Sequence, residues 1–210
     1  MTKVASTVQT YAKTQLNTDE HHKKIGLLGG TFNPIHNGHL IIAEQVIDQL
    51  GLDEIRFMPD FTPPHVDKKL AIDAKDRVTM INGSIRDNPH FAIEMEEIAR
   101  GGTSYSYDTL VALKRRNPNY EYYFIIGGDM VEYLPKWHKI DELAKLVTFV
   151  GVKRSGYKTT SKYPIIWVDV PFIDISSTLI RSKVRANHSI RYLVPTCVEK
   201  YIRENGLYAN

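Results

Sequence analysis

Ile25-Gly26-Leu27-Leu28-Gly29-Gly30-Thr31-Phe32-Asn33-Pro34-Ile35-His36-Asn37-Gly38-His39 is the stretch whose reading decides the fold. Its apolar opening, Ile25 to Leu28, reads as a buried strand, Gly29-Gly30 ends it, and a helix-like pattern runs from Gly38 to Leu50 before Gly51 stops it. A strand that delivers paired glycines to a helix N-terminus makes an anion site. The glycines let backbone approach a phosphate, and the free N–H groups of the first helical turn add partial positive charge. His36 and His39 at that helix start can donate to oxyanions that develop during phosphoryl transfer. As His-x-x-His they could also cap the helix or take a metal, but no carboxylate or cysteine stands nearby to complete a coordination shell.

Outward from this unit the alternation continues. Ile55 to Met58 reads as a second strand ending at Pro59, followed by a Pro-rich loop through Pro63-Pro64-His65 and a helix from Ala74 to Arg86. Phe91 to Glu94 is expected to be a short strand and Asp108 to Arg116 a helix; Glu121 to Ile126 is a β-forming run that again reaches paired glycines, Gly127-Gly128. Strands near Val147 to Val152 and Ile165 to Val168 precede a helix from Ser176 to Arg185 and a last helix opened by Pro195 and closed by Gly206. Strands and helices taking turns predict an α/β fold, a Rossmann-like doubly wound parallel sheet in one domain over residues 25–210. Ligands of such sheets lie beyond the carboxyl ends of the strands, where both Gly-Gly loops fall. Residues 1–24 are polar, with Val4, Val8 and Tyr11 at helical spacing; they read as an N-terminal extension with one short helix, and His21 and His22 as solvated side chains.

Composition narrows the function classes. A chain of 210 residues with 42% hydrophobic and 24% charged residues is globular in character, and a net charge of +3 is too small for wholesale nucleic-acid binding while suiting a small anionic ligand. The single cysteine, Cys197, cannot pair within the chain, and Val194, Val198 and Tyr201 around it at helical spacing predict a buried thiol. The absence of a long apolar run or a signal-like start makes the cytoplasm the expected location, with no membrane partner. No G-x-G-x-x-G follows the first strand and no G-x-x-x-x-G-K-[ST] occurs, which argues against an ordinary dehydrogenase and a P-loop enzyme.

Ile175-Ser176-Ser177-Thr178-Leu179-Ile180-Arg181 is a second candidate phosphate clamp, with hydroxyls and free amides at a helix N-terminus and an arginine one turn on. Alone it would read as a plain N-cap. Together the two motifs resemble the (H/T)-x-G-H and I-S-S-T-x-I-R elements of the nucleotidyltransferase superfamily, and the Gly-Gly-Thr-Phe-x-Pro-x-His form is similar to nicotinate-mononucleotide adenylyltransferases. The resemblance spans nearly everything from Ile25 to Tyr208. It implies transfer of AMP from ATP to nicotinate mononucleotide, giving nicotinate adenine dinucleotide and pyrophosphate, with Mg²⁺ carried by the phosphates. Other members of the superfamily, such as phosphopantetheine adenylyltransferases or cytidylyltransferases, and a non-catalytic nucleotide sensor are the competing readings. A homo-oligomer stays open.

The same resemblance implies residue roles. ATP would meet Gly29, Gly30, Thr31, Phe32, His36, His39, Gly127, Asp129, Ile175, Ser176, Ser177, Thr178 and Arg181, with His36, His39 and Arg181 acting on the transferring phosphate. The mononucleotide would meet Thr31, Asn33, His65, Lys68, Tyr105, Ser106 and Trp137. Ser104-Tyr105-Ser106-Tyr107-Asp108-Thr109-Leu110 resembles the family's S-Y-T-x-D-T-L segment, whose amides would receive the nicotinate carboxylate. Gly127-Gly128-Asp129 resembles its G-x-D element, with Asp129 near ribose and Trp137 against the pyridine ring or, alternatively, in the core. Val66 stands where a basic residue is usual, so Lys68 or Lys69 would supply the charge, and Asn33 replaces a common aspartate. Asp76 and Arg77 are expected on a solvated helix face, and Tyr201 to Tyr208 in packing.

Overall fold

The computed structural model describes residues 22–64, 71–152 and 161–209, with the backbone but not the side chain of Asp129. Most of the N-terminal extension, together with His65, Val66, Lys68 and Lys69 of the Pro-rich loop, lies outside the described residues.

Six strands, β1 (Lys24–Gly30), β2 (Glu54–Pro59), β3 (Phe91–Ile93), β4 (Glu121–Gly127), β5 (Thr148–Val152) and β6 (Ile165–Val168), pair in the order β3-β2-β1-β4-β5-β6. Every pairing is parallel. The helices are α1 (Asn37–Leu50), α2 (Ala74–Ile85), α3 (Glu96–Arg100), α4 (Ser106–Arg116), α5 (Gly128–Val131), α6 (Ile140–Leu143), α7 (Ser177–Arg185) and α8 (Thr196–Glu204). From β1 the chain moves outward through β2 to β3, then returns to add β4 on the other side of β1. The connections leaving β1 and β4 therefore diverge, and a crevice opens between their carboxyl ends.

Side chains alternate across each strand, so both faces need a cover. Ile25 and Leu27 of β1 join Phe124 and Ile126 of β4 in a layer with Leu110, Leu113 and Leu143. Leu28 and Ile125 face the opposite layer with Ala43 and Val46 of α1, Ile81 of α2 and Val198 of α8. At the end of α1, Gly51 takes φ 57°, and its N–H caps the Ile47 carbonyl.

The elements expected from Ile25 onward are all present, with ends displaced by a residue or two, while the short helix expected in the N-terminal extension lies outside the described residues. The expected strand at Phe91 stops at Ile93, because Glu94 turns inward and accepts from Arg56 and Arg116. Helices α3, α5 and α6 and a 3₁₀ turn at Leu134–Lys136 were not anticipated: each spans about one helical turn, too short for a 3.6-residue apolar period to emerge. Cys197 is half-buried rather than buried, lying against Gly83 of α2. No helix among the described residues is long and apolar enough to cross a membrane.

Candidate active site

A cavity of about 390 Å³ lies in the crevice where the strand order reverses. Its floor is Leu28 to Gly30 of β1, with Thr31 just beyond, and Phe124 to Gly127 of β4. Around the rim stand His39 and Ile42 of α1, Asp60, Pro63 and Pro64 after β2, Glu97 of α3, Ser104 to Ser106 entering α4, and Met130, Trp137 and His138. A smaller cavity of about 70 Å³ shares Ile42 and Val152 with the first and is lined by His36, Gly38, Ile175 and Ser176. Gly29, Gly30, Thr31, His39, Tyr105, Ser106, Gly127 and Trp137 thus share the larger space, and His36, Ile175 and Ser176 the smaller one.

The histidines are arranged by the helix start. His36, 4% exposed, is the N-cap of α1, and its amide donates to Nδ1 of His39 at 3.2 Å, half of a reciprocal capping box. A nitrogen that accepts holds no proton, so the neutral His39 ring has its N–H at Nε2. The two imidazoles stack with centroids 3.6 Å apart, and His39 also meets the Phe32 ring edge-on at 5.0 Å. Phe32 has φ 49°, a left-handed conformation that costs a non-glycine residue about 1–3 kcal/mol. Burial of its ring against His39 and Phe57 offsets that cost and anchors the loop. Gly38 leaves the room: a Cβ there would stand 3.1 Å from His36 Nδ1. Capping geometry is present, and it orients the same rings that line the two cavities.

Arg77 is not on a solvated face. It is 1% exposed, and its guanidinium donates to the Thr31 carbonyl at 2.8 Å and meets Asp60 at 3.4 Å. Asp60 in turn accepts from the Thr31 hydroxyl at 2.7 Å. Burial pushes the Asp60 carboxyl up and the Arg77 guanidinium down from their ordinary values, outweighing their attraction for one another. Asp76 is half-buried and accepts from the Tyr201 hydroxyl at 2.8 Å. The expectation failed because a charged pair inside an amphipathic helix looks exposed until its partners, here Thr31, Asp60 and Tyr201, are brought in by the sheet and the last helix.

The second motif fastens the first. Ser176 is the N-cap of α7, accepting from the Leu179 amide at 3.2 Å, and the Ser177 hydroxyl donates to the Pro34 carbonyl at 2.8 Å. Arg181 donates to the Asn33 carbonyl at 2.8 Å and to the Thr178 hydroxyl at 3.1 Å. The Asn33 side chain, buried, accepts from the Tyr208 hydroxyl at 2.8 Å and from the Ile72 amide at 3.4 Å, and it does not line the larger cavity.

On the far wall, α4 points its N-terminus at the cavity. The Tyr105 amide donates to the Thr103 carbonyl, leaving the first-turn amides from Ser106 onward as the free donors. Trp137 is half-buried, held edge-on by Phe124 at 5.6 Å and Phe149 at 6.5 Å. Its indole N–H is buried without a partner among the described residues. Tyr105 packs on His138 with ring centroids 4.6 Å apart. Beneath them Glu97 accepts from Thr109 at 2.9 Å, and burial raises its carboxyl above the ordinary range in spite of that bond. Asp60, Glu97 and His138 line the cavity although sequence reasoning did not select them. Asp60 directly follows a strand end, a signal that could have found it; Glu97 sits in a one-turn helix and gave none.

Residues 27–183 match the family described as cytidylyltransferase-like. A protein of Lactiplantibacillus plantarum named probable nicotinate-nucleotide adenylyltransferase is 60% identical over 199 residues, covering 95% of this chain and 94% of its own. One of the same name from Enterococcus faecalis is 58% identical over 186 residues, covering 89% and 85%. Among solved structures, the Plasmodium falciparum nicotinic acid mononucleotide adenylyltransferase complexed with NaAD superposes with a TM-score of 0.76 at 20% identity, over 89% of this chain and 98% of that one. That likeness speaks for the fold, and the two bacterial relatives speak for the family. On those relatives and the family match, the chain belongs to the nicotinate-nucleotide adenylyltransferases, within the cytidylyltransferase-like nucleotidyltransferases.

Proposed function

We propose that the protein transfers the adenylyl group of ATP to nicotinate mononucleotide, releasing pyrophosphate and nicotinate adenine dinucleotide. One observation supports this above the rest: a single cavity has the glycine loop and His39 on one side and the α4 N-terminus with Trp137 on the other. The first wall suits polyphosphate, the second a flat ring bearing an anionic group.

In this reading a phosphate oxygen of the mononucleotide attacks the α-phosphorus of ATP in line. The new P–O bond forms as the bond to the β-phosphate bridging oxygen breaks, and that oxygen leaves on pyrophosphate. The attacking phosphate is already anionic, so no strong base is required. His39 and the Gly30 and Thr31 amides are assigned to the charge that builds on the α-phosphate oxygens, and Arg181 with Ser177 and Thr178 to the leaving phosphates. Mg²⁺ on the ATP phosphates would neutralise part of their charge. We assign the metal to the substrate's own oxygens, because Mg²⁺ is commonly held by substrate phosphates and water rather than by a dedicated protein cage.

The test is to supply ATP and Mg²⁺ with nicotinate mononucleotide, its amide counterpart or phosphopantetheine, and to measure pyrophosphate and the product. Dinucleotide formed from the acid is the expected result; turnover with phosphopantetheine alone would overturn the reading.

A further inference from the structure

We infer that Tyr208, almost at the end of the chain, is a positioning residue for the phosphate-binding loop, acting through its hydroxyl on Asn33. The kinetic half of this inference rests on the adenylyl-transfer reading.

The loop between β1 and α1 is held from outside. Its Thr31 carbonyl accepts from Arg77 of α2, its Pro34 carbonyl from Ser177 of α7 and its Asn33 carbonyl from Arg181 of α7. The Asn33 side chain is where the C-terminal segment takes hold, 175 residues along the chain and 2.8 Å from the Tyr208 hydroxyl.

The segment is built to deliver that hydroxyl. After α8 the chain reverses at Gly206, φ 60°, and the Leu207 amide closes onto the Ile202 carbonyl at 3.0 Å. Tyr208 itself then takes φ 63°, a left-handed conformation that is strained for a tyrosine and that a residue serving only to cover the core has no need to adopt. Upstream, Tyr201 of α8 bonds Asp76, the neighbour of Arg77 on α2. Two tyrosines of the terminal segment therefore act on the loop, Tyr208 directly at Asn33 and Tyr201 through the helix that carries Arg77. Burial holds the phenol of Tyr208 protonated far above its usual range, although Arg181 and Arg77 both favour the phenolate, so it remains a donor at any working pH.

His36 begins α1 only three positions after Asn33, and its ring stacks on His39. A loop loosened at Asn33 shifts both imidazoles. In-line transfer tolerates such a shift less than ground-state binding does, because its geometric demand is greatest at the transition state.

The experiment uses the full chain with Tyr208→Phe, which keeps the ring and removes the hydroxyl. We expect kcat to fall about 10-fold while KM for ATP and acceptor stays within about 2-fold. Hydrogen exchange across residues 29–40 should quicken while the midpoint of thermal unfolding moves little. Val198→Ala serves as the comparison, since it loosens the buried face of the same terminal helix without touching Asn33; it should lower the unfolding midpoint and leave kcat in place. Unchanged kcat in Tyr208→Phe, or a fall that merely tracks its loss of stability as in Val198→Ala, would overturn the inference. The exchange measurement needs no turnover. If the unaltered enzyme made no dinucleotide, the reaction assigned above would fall, while unquickened exchange in Tyr208→Phe would still overturn the positioning role.

Discussion

Arg77 donates to the backbone carbonyl of Thr31 at 2.8 Å, so a side chain of α2 holds the backbone of the loop that ends β1. The same guanidinium is the buried counterion of Asp60, a carboxylate that lines the cavity. Replacing it with Met would leave Asp60 buried beside an apolar chain and the Thr31 carbonyl without its donor. Removing one partner of a buried pair costs about 3–5 kcal/mol, and urea unfolding of Arg77→Met at neutral pH should show a loss of that order. Adding Asp60→Asn should recover part of it. A loss below about 0.5 kcal/mol, the scale of ordinary surface substitutions, would mean that the pair has no structural weight.

Glu97 provides a pH test with a definite sign. Its folded carboxyl titrates above the ordinary value because burial outweighs its bonds to Thr109 and Ser104. Between the unfolded value, about 4.3, and the raised folded value, the native state keeps a proton that the unfolded chain has released. Wild-type stability from this group therefore falls as pH rises through that window, and the cost persists above it. Glu97→Gln has no such titration. The stability of Glu97→Gln relative to wild type should accordingly grow as pH is raised from about 4 and then level off. Urea midpoints measured across that range would decide, and a difference independent of pH would show that Glu97 is not held above its ordinary value.

His39→Ala should lower kcat by about 100-fold or more while nucleotide affinity changes far less, since its assigned work is on charge that develops during transfer. Loss of the capping contact to the His36 amide adds a stability cost of about 1 kcal/mol. Gly38→Ala is the companion. Its Cβ would press on His36 at 3.1 Å, so it should displace that ring and depress kcat with both histidines intact. Steady-state kinetics beside nucleotide titration separates the effects; an unchanged kcat in His39→Ala would reduce the residue to its capping role.

These residues also show how far the sequence reaches. β1, β4 and their glycines were legible because an apolar run ending in Gly-Gly is a local pattern, and the alternation of long elements sets the topology. His39, Tyr105, Ser106, Gly127 and Trp137 were found by motif, and they meet in one cavity. Arg77 was misread because its role depends on Thr31, 46 positions away, and no periodicity reports a contact of that separation; Tyr208 packs against the core as expected, but its hydroxyl bond to Asn33, 175 positions away, was invisible for the same reason. Asn33 shows the converse, since its motif points toward the acceptor, whereas its side chain is turned to Tyr208. His65 and Lys68 lie outside the described residues.

A carboxylate on the pyridine ring would be received by the first-turn amides of α4, and Ser106 is the first residue of that helix. Proline is tolerated at this position, because the first-turn N–H has no partner within the helix and φ is already helical. The residue before it must be extended, and Tyr105, at φ −82° and ψ 121°, is. Ser106→Pro therefore deletes one N–H aimed at the cavity without breaking α4. A hydrogen bond to a charged group is worth about 1.5–3 kcal/mol, so kcat/KM for nicotinate mononucleotide should fall about 10- to 100-fold. The amide acceptor, which presents its own NH₂ to that donor, should lose little, and the preference for the acid should narrow. Trp137→Phe is expected to behave differently, weakening both acceptors alike, because the two rings offer nearly the same face to the indole. Competing the two mononucleotides in one reaction and quantifying both dinucleotides gives the ratio directly. If Ser106→Pro folds and keeps the wild-type ratio, the acid is recognised elsewhere, and the α4 N-terminus is only a wall of the cavity.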